Sequence, residues 1–99
     1  MDGERSYAEQ VRRNIKNNLV LLRRYNGLSR NQLAEKVSVS TSYIAALENP
    51  RLIKSPSLEV LANIAKTLDS SVGKMSDTNT PDSLMGDYVR DNLLNKKED

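Results

Sequence analysis

The sequence predicts an all-α fold, in which five helices form one compact domain and a sixth, amphipathic helix follows. Apolar residues recur every three or four positions along most of the chain, which is the period of an α-helix. Serine, asparagine-glycine and proline stand where these segments begin or end. The chain has no Trp and no Phe, so its core must consist mainly of Leu, Ile, Val and Ala. A length of 99 residues allows one domain, which we place at residues 1–76, with a linker and tail at residues 77–99.

A long first helix is predicted at about residues 7–25. Ser6 followed by Glu9 is the pattern of a capping box, in which each residue satisfies a backbone N–H of the other. The Asn26-Gly27 pair is typical of a helix end. The apolar positions between these signals are Val11, Ile15, Leu19 and Leu22.

Two short helices are predicted next, separated by the run Ser38-Val39-Ser40. Ser29 is the expected cap of the second helix, and Ser40 is the expected cap of a third helix that runs from residue 41 to about residue 48. The inward residues are Leu33, Ala34, Val37, Ile44 and Leu47. Two short helices about three residues apart form a helix-turn-helix arrangement. Ala34 is small enough for the two helices to cross closely, and Val39 fills the turn.

A loop at residues 49–55 and a fourth helix complete the central part of the predicted domain. Pro50 fixes a turn in the loop, and Pro56 with Ser57 opens the helix. A wide buried face is expected on this helix, formed by Leu58, Leu61, Ala62, Ile64, Ala65 and Leu68.

The last part of the sequence carries weaker signals. Residues 71–76 are expected to form a further turn or short helix, with Val72 and Met75 inward. Residues 78–80 have the composition of a linker, and Thr80-Pro81 is a good start for a helix at residues 82–94. The apolar stripe of that helix is Leu84, Met85, Tyr88, Val89 and Leu93.

Charge is distributed unevenly along the chain. Residues 1–54 hold ten Lys and Arg against five Asp and Glu, whereas residues 55–99 hold five against eight. A basic first half favours a polyanionic partner. A solvated charged surface explains the same pattern, so charge alone does not decide between the two readings.

Composition also excludes several classes of function. The chain has no Cys for disulfide or thiol chemistry and no His, the commonest general base and metal ligand. We find no glycine-rich phosphate loop and no nucleophile paired with a base, so we expect no catalysis, cofactor or metal site. No apolar run approaches the roughly 20 residues that span a bilayer, and no signal peptide opens the chain. A cytoplasmic protein without membrane contact is therefore expected.

Residues 28–49, LSRNQLAEKVSVSTSYIAALEN, resemble the lambda-repressor-like, Cro-type (XRE) helix-turn-helix family. The resemblance extends from residue 15 to about residue 75. It implies a compact bundle of five helices that places its third helix in the major groove of double-stranded DNA. A sequence-specific transcriptional regulator, and in particular a repressor, is the function that it implies.

The resemblance also assigns roles to individual residues. Base-reading positions fall on Thr41, Ser42, Tyr43, Ala45 and Ala46. Phosphate-contacting positions fall on Arg30, Asn31, Asn49, Arg51 and Lys54. An ion pair that ties the first helix to the third falls on Arg23 and Glu48, and the alternative for Arg23 is a contact with DNA. For Ala45 and Ala46 the alternative is a role as helix formers alone, and for the loop residues it is an ordinary polar surface. The remaining charges of the first helix are expected to form a solvated face, with contact of some of them to flanking phosphates as the alternative; these residues are Arg12, Arg13, Lys16 and Arg24.

Two positions depart from the family pattern. Arg30 stands where the family usually has Gln, which holds a phosphate and braces the first base-reading residue. Arg can hold a phosphate but cannot brace Thr41 in the same way. Ser38 stands where the family usually has Gly, at a turn position that tends to positive φ, and it is expected to cost about 1 kcal/mol there.

A homodimer on a palindromic operator is expected, because a single short helix reads few base pairs. Val72 and Met75 are the contact that the family implies. The stripe at residues 82–94 has three possible roles: it packs on its own domain, pairs with a second copy, or captures another protein. The alternative to DNA binding is a protein-interaction module that keeps the fold and docks a partner through this last helix.

Overall fold

The computed structural model describes residues 6–77, and this part of the chain is all-helical. It contains five helices: α1 (Tyr7–Tyr25), α2 (Arg30–Val37), α3 (Thr41–Glu48), α4 (Leu58–Thr67) and α5 (Val72–Met75). The predicted all-α fold is confirmed. The helix predicted at residues 82–94, with the stripe Leu84, Met85, Tyr88, Val89 and Leu93, lies outside the described residues.

A serine precedes each of these helices and determines where it begins. The side-chain oxygen of each serine accepts the backbone N–H three residues later, which satisfies one of the N–H groups that lack a partner at a helix start. The serines are Ser6, Ser29, Ser40, Ser57 and Ser71. At α2 the capping is reciprocal, since the Ser29 N–H also donates to Gln32 Oε1 at 2.8 Å.

Left-handed backbone conformations end three of the helices. Gly27 follows α1 with φ of 71°, and a glycine adopts this conformation without steric cost. Ser38 ends α2 with φ of 61° and ψ of 46°, so positive φ at this turn is confirmed. Asp69 follows α4 with φ of 59°, which the sequence did not indicate.

The core lies where α2 packs against α3 and α4, and where α1 packs against α3 and α5. Its most deeply buried apolar residues are Leu19, Leu33, Ile44, Leu47, Ile64, Leu68 and Met75. Ala34 is buried between α2 and its neighbours, and Val39 packs on the core from the turn. The cluster therefore contains the apolar residues that fix α2 relative to α3.

The buried face of α4 is narrower than predicted. It is centred on Leu61 and Leu68, with Ile64 and Ala65 beside them. Leu58 and Ala62 lie one turn apart at one edge of this face, and both are exposed, Leu58 at 72%. Their assignment to the core was wrong, because packing covers only the centre of the apolar face.

Two asparagines of α1 hold α5 in place. Asn14 Nδ2 donates to Ser76 O at 2.9 Å, and Asn18 Nδ2 donates to Met75 O at 2.6 Å. Met75 is 0% exposed, so its side chain belongs to the core of the domain. The inward position predicted for Met75 is confirmed, while Val72 is half-buried, and the assignment of these two residues to a dimer or partner contact stays a prediction.

Candidate nucleic-acid interface

The helix α3 packs one face in the core and exposes residues of its opposite face to solvent. Ile44 and Leu47 are buried, and they hold the helix against α1 and α2. Thr41 and Ser42 are exposed at the N-terminal end. The other predicted base-reading residues, Tyr43, Ala45 and Ala46, are half-buried. A polar N-terminal edge therefore projects from a helix whose position is set by its apolar residues.

The side chain of Thr41 is braced by α2. Thr41 Oγ1 donates to Asn31 Oδ1 at 2.9 Å. The hydroxyl groups of Ser42 and Ser40 lie 3.2 Å apart, which orients the second exposed hydroxyl. The replacement of the family's Gln by Arg30 removed the expected brace, and the neighbouring Asn31 supplies one instead. Asn31, assigned to a phosphate by the resemblance, thus contacts Thr41 in the structure.

One buried carboxylate binds two guanidinium groups where α1, α2 and α3 meet. Arg23 Nε donates to Glu48 Oε2 at 2.6 Å, and Arg23 Nη2 donates to Glu48 Oε1 at 3.1 Å. Arg30 Nε donates to Glu48 Oε1 at 2.8 Å. The side chains of Arg23 and Glu48 are 8% and 2% exposed, while that of Arg30 is 50% exposed. Arg30 therefore joins the ion pair and still reaches the surface.

Lys16 does not belong to a solvated face. It is 5% exposed, and its Nζ donates to Leu47 O at 3.1 Å, Lys54 O at 3.1 Å and Ala46 O at 3.4 Å. Burial lowers the pKa of its ammonium group, and repulsion from Arg12 lowers it further. The earlier assignment was wrong because Lys16 lies on the edge of α1 that faces α3, two helical turns before Arg23.

The loop after α3 is shaped by its own polar groups. Asn49 Oδ1 accepts the Arg51 N–H at 2.9 Å, and Asn49 O accepts the Leu52 N–H at 3.1 Å. Arg51 and Lys54 are exposed. Lys54 Nζ lies 5.3 Å from the centroid of the Tyr43 ring, within the range of a cation–π interaction. The side-chain oxygen of Asn49 thus turns the loop, and the cations of Arg51 and Lys54 are presented beside α3.

A basic groove joins this loop to α1. Arg12, Arg13 and Lys16 line it from the helix together with Glu9, and Arg51 lines it from the loop. Leu52 and Ile53 complete the wall on the loop side. The guanidinium groups extend the positive surface of the loop along the first half of α1, which is the kind of surface that attracts a polyanion.

Among residues 6–77, no three acidic side chains come together in a group that could bind a metal ion. No helix in the same residues is long and apolar enough to cross a membrane.

The hydrogen-bonding roles of Lys16, Asn14 and Asn18 inside the fold were not predicted, because lysine and asparagine usually lie exposed. A signal was nevertheless present in the sequence. Lys16 and Arg23 flank Leu19 at helical spacing, so all three lie on one edge of α1. Asn18 is four residues before Leu22, on the apolar stripe. A polar residue in register with such a stripe predicts a buried hydrogen-bonding role.

Known proteins show the same arrangement. The sequence model of the Helix-turn-helix family matches residues 21–74. The fold is similar to that of a solved protein, the clp gene regulator ClgR from Corynebacterium glutamicum, with a TM-score of 0.62. The two share 27% sequence identity over 85% of this chain and 86% of that chain. No curated protein sequence matches the chain significantly.

The family match begins within α1 and continues into α5, so it contains α2, the turn at Ser38 and α3. It covers more than half of the chain and confirms the resemblance found in the sequence. The chain belongs to the XRE-type helix-turn-helix family.

Proposed function

We propose that this protein is a transcriptional repressor that binds a palindromic operator as a homodimer. DNA-binding transcriptional regulation follows from membership of the family and is supported by the likeness to the gene regulator ClgR. The observation that carries the proposed reading of a specific operator is the exposed pair Thr41 and Ser42, which starts a helix otherwise fixed in the core.

The side chains on the open edge of α3 suit the major groove. Hydroxyl groups donate to or accept from several base edges, and an alanine methyl packs on the methyl group of thymine. Thr41 and Ser42 supply the hydroxyls, and the half-buried Ala45 and Ala46 supply the methyls. Small side chains also let the helix axis approach the floor of the groove.

The loop supplies contacts of a different kind. Arg51 and Lys54 are exposed cations beside α3, and the basic groove of Arg12 and Arg13 continues from them. Phosphate contacts hold a protein in register on the duplex without reading its sequence. We assign Arg51 and Lys54 to this role. Arg30 reaches the surface from the Glu48 ion pair, so it is a further phosphate ligand.

The dimer follows from the number of bases that one helix reads. A recognition helix of this type contacts a few base pairs, and two copies on half-sites about 34 Å apart give a longer site. The described residues contain one such helix, so a second copy of the chain provides the other. A dimer bound over a promoter represses by excluding other proteins from it.

Selection of bound sites from a pool of random duplexes tests the function. We expect a palindromic site, and the variant Thr41→Ala/Ser42→Ala should lose about 1–3 kcal/mol of binding free energy for each lost base contact. Selectivity should fall only at the bases that these residues read. Asn63→Ala, an exposed polar change on α4, is the matched control. A double variant that binds the selected site as tightly and as selectively as the unaltered protein would refute the assignment.

A further inference from the structure

We infer that Lys16 is a positioning residue for DNA recognition, which fixes the base-reading helix α3 and the phosphate-contacting loop in one register. The inference rests on the function proposed above, and it concerns a residue that touches no DNA itself. Its basis is the set of three hydrogen bonds that the ammonium group makes to two separate elements.

Two of the three acceptors lie in the last turn of α3. The carbonyl groups at a helix end lack N–H partners within the helix, and the helix dipole makes this end partly negative. Lys16 Nζ donates to Leu47 O at 3.1 Å and to Ala46 O at 3.4 Å. A cation at this place satisfies carbonyl groups and matches the dipole, so it holds the C-terminal end of α3 against α1.

The third acceptor lies in the loop. Lys16 Nζ donates to Lys54 O at 3.1 Å, so the same ammonium group holds the end of the loop close to α3. The side chain of Lys54 returns to α3, where its Nζ lies 5.3 Å from the Tyr43 ring centroid. Lys54 is thus held through its backbone by Lys16 and through its side chain by Tyr43. The separation between a base-reading residue and a phosphate ligand depends on these contacts.

The hydrogen bonds of Lys16 separate this role from direct phosphate binding, although the residue also lines the basic groove. Lys16 is 5% exposed, and its ammonium group already binds three protein acceptors. An apolar side chain at this position would leave the carbonyl groups of Leu47 and Lys54 without this donor. The loop and α3 would then each still bind DNA, but they would no longer be held in the relative position that a specific site requires.

Lys16→Met tests the inference, because methionine has a similar length and donates no hydrogen bond. Affinity is measured for the selected operator and for a random duplex, at several salt concentrations and at a temperature where circular dichroism shows each variant folded. We expect operator affinity to fall about tenfold, which corresponds to 1.4 kcal/mol. Random-duplex affinity and its salt dependence should stay close to those of the unaltered protein, since no phosphate contact is lost.

Lys66→Met, a change at an exposed lysine on α4, is the matched control and should leave both affinities unchanged. If Lys16→Met does not fold at the assay temperature, Lys16→Gln keeps amide donors and is measured in the same way. Its amide has two N–H donors on a side chain one bond shorter than that of lysine, so it cannot satisfy all three carbonyl groups and should also lose operator affinity selectively.

Three results would overturn the inference. A salt slope reduced by about one unit would make Lys16 a phosphate ligand. A lower melting temperature with unchanged operator affinity in the folded variant would make its role one of stability alone. Equal losses of affinity for the operator and for the random duplex would show that Lys16 does not set the relative position of α3 and the loop. Failure of the unaltered protein to select any site would instead contradict the proposed function, so the two failures are distinguishable.

Discussion

Glu48 is a buried carboxylate with two guanidinium partners, and these partners differ in burial. Arg23 is buried beside it, while Arg30 approaches from the surface. Removal of one partner from a buried ion pair leaves a charge that water no longer solvates. Because Glu48 has two partners, the stability lost when one arginine is replaced depends on which arginine remains.

We expect Arg23→Ala to lower the free energy of unfolding by about 1–3 kcal/mol, less than the loss of a sole partner, because Arg30 still pairs with Glu48. Arg30→Ala should cost less than about 1 kcal/mol, since its half-exposed side chain is screened by water. Urea denaturation measures both, with Arg13→Ala, at an exposed arginine of the same helix, as control. An Arg23→Ala variant with unchanged stability and lost DNA binding would show that Arg23 contacts DNA instead.

Ser38 is a residue whose replacement by glycine should change the stability of the protein. It adopts a left-handed conformation, which disfavours every residue with a Cβ atom. Ser38→Gly should therefore stabilise the protein, by up to about 1 kcal/mol once the greater freedom of glycine in the unfolded chain is included. Thermal melting measures the change. Asp69→Gly should act in the same direction, and a fall in melting temperature for both variants would contradict the argument from backbone strain.

At the level of elements, the loop and α3 are expected to contribute separately to binding. Arg51→Ala and Lys54→Ala should each weaken binding to all duplexes and reduce the salt slope by about one unit. Lys54→Ala should also weaken operator binding further, since it removes the contact with Tyr43. Titrations at several salt concentrations separate these effects, with Lys66→Ala as control. Unchanged slopes in both loop variants would remove the loop from the interface.

Helix starts were predictable from the sequence because one serine hydroxyl fixes each of them locally. Ser40 and Ser57 cap α3 and α4 through hydrogen bonds to residues only three positions away. The width of a buried face is not local in this way. Leu58 and Ala62 continue the apolar stripe of α4, yet both are exposed to solvent. The contact between Lys16 and Lys54 joins residues 38 positions apart, so only the packed fold shows it.

For the molecule as a whole, we predict that the dimer contact lies in the tail that follows Asp77. Met75 is enclosed in the core, so the contact that the family implies retains only the half-buried Val72. The apolar stripe in the sequence of residues 82–94 is a larger candidate. We therefore expect a chain truncated after Asp77 to sediment as a monomer and to bind the operator more weakly than the complete chain does.

Binding to a single half-site of the operator is the control for the truncation after Asp77. A monomeric truncated protein should bind a single half-site with the affinity of the complete chain, because the recognition helix is intact. A truncated protein that stays dimeric and binds the operator with full affinity would exclude the tail as the interface. Val72 and the exposed apolar residues of the described domain would then be the candidates.

The burial of Lys16 also has a consequence for its chemical reactivity. An acylating reagent attacks a neutral amine, and the lowered pKa of Lys16 gives it a larger neutral fraction than an ordinary lysine has. Its nitrogen nevertheless donates to carbonyl groups of α3 and of the loop, and the residue is only 5% exposed. Acylation in the native protein therefore requires these elements to separate, whereas Lys36 and Lys66 react from the exposed surface. The rate at Lys16 thus reports how often the fold opens there, and bound operator DNA should slow it without slowing Lys66.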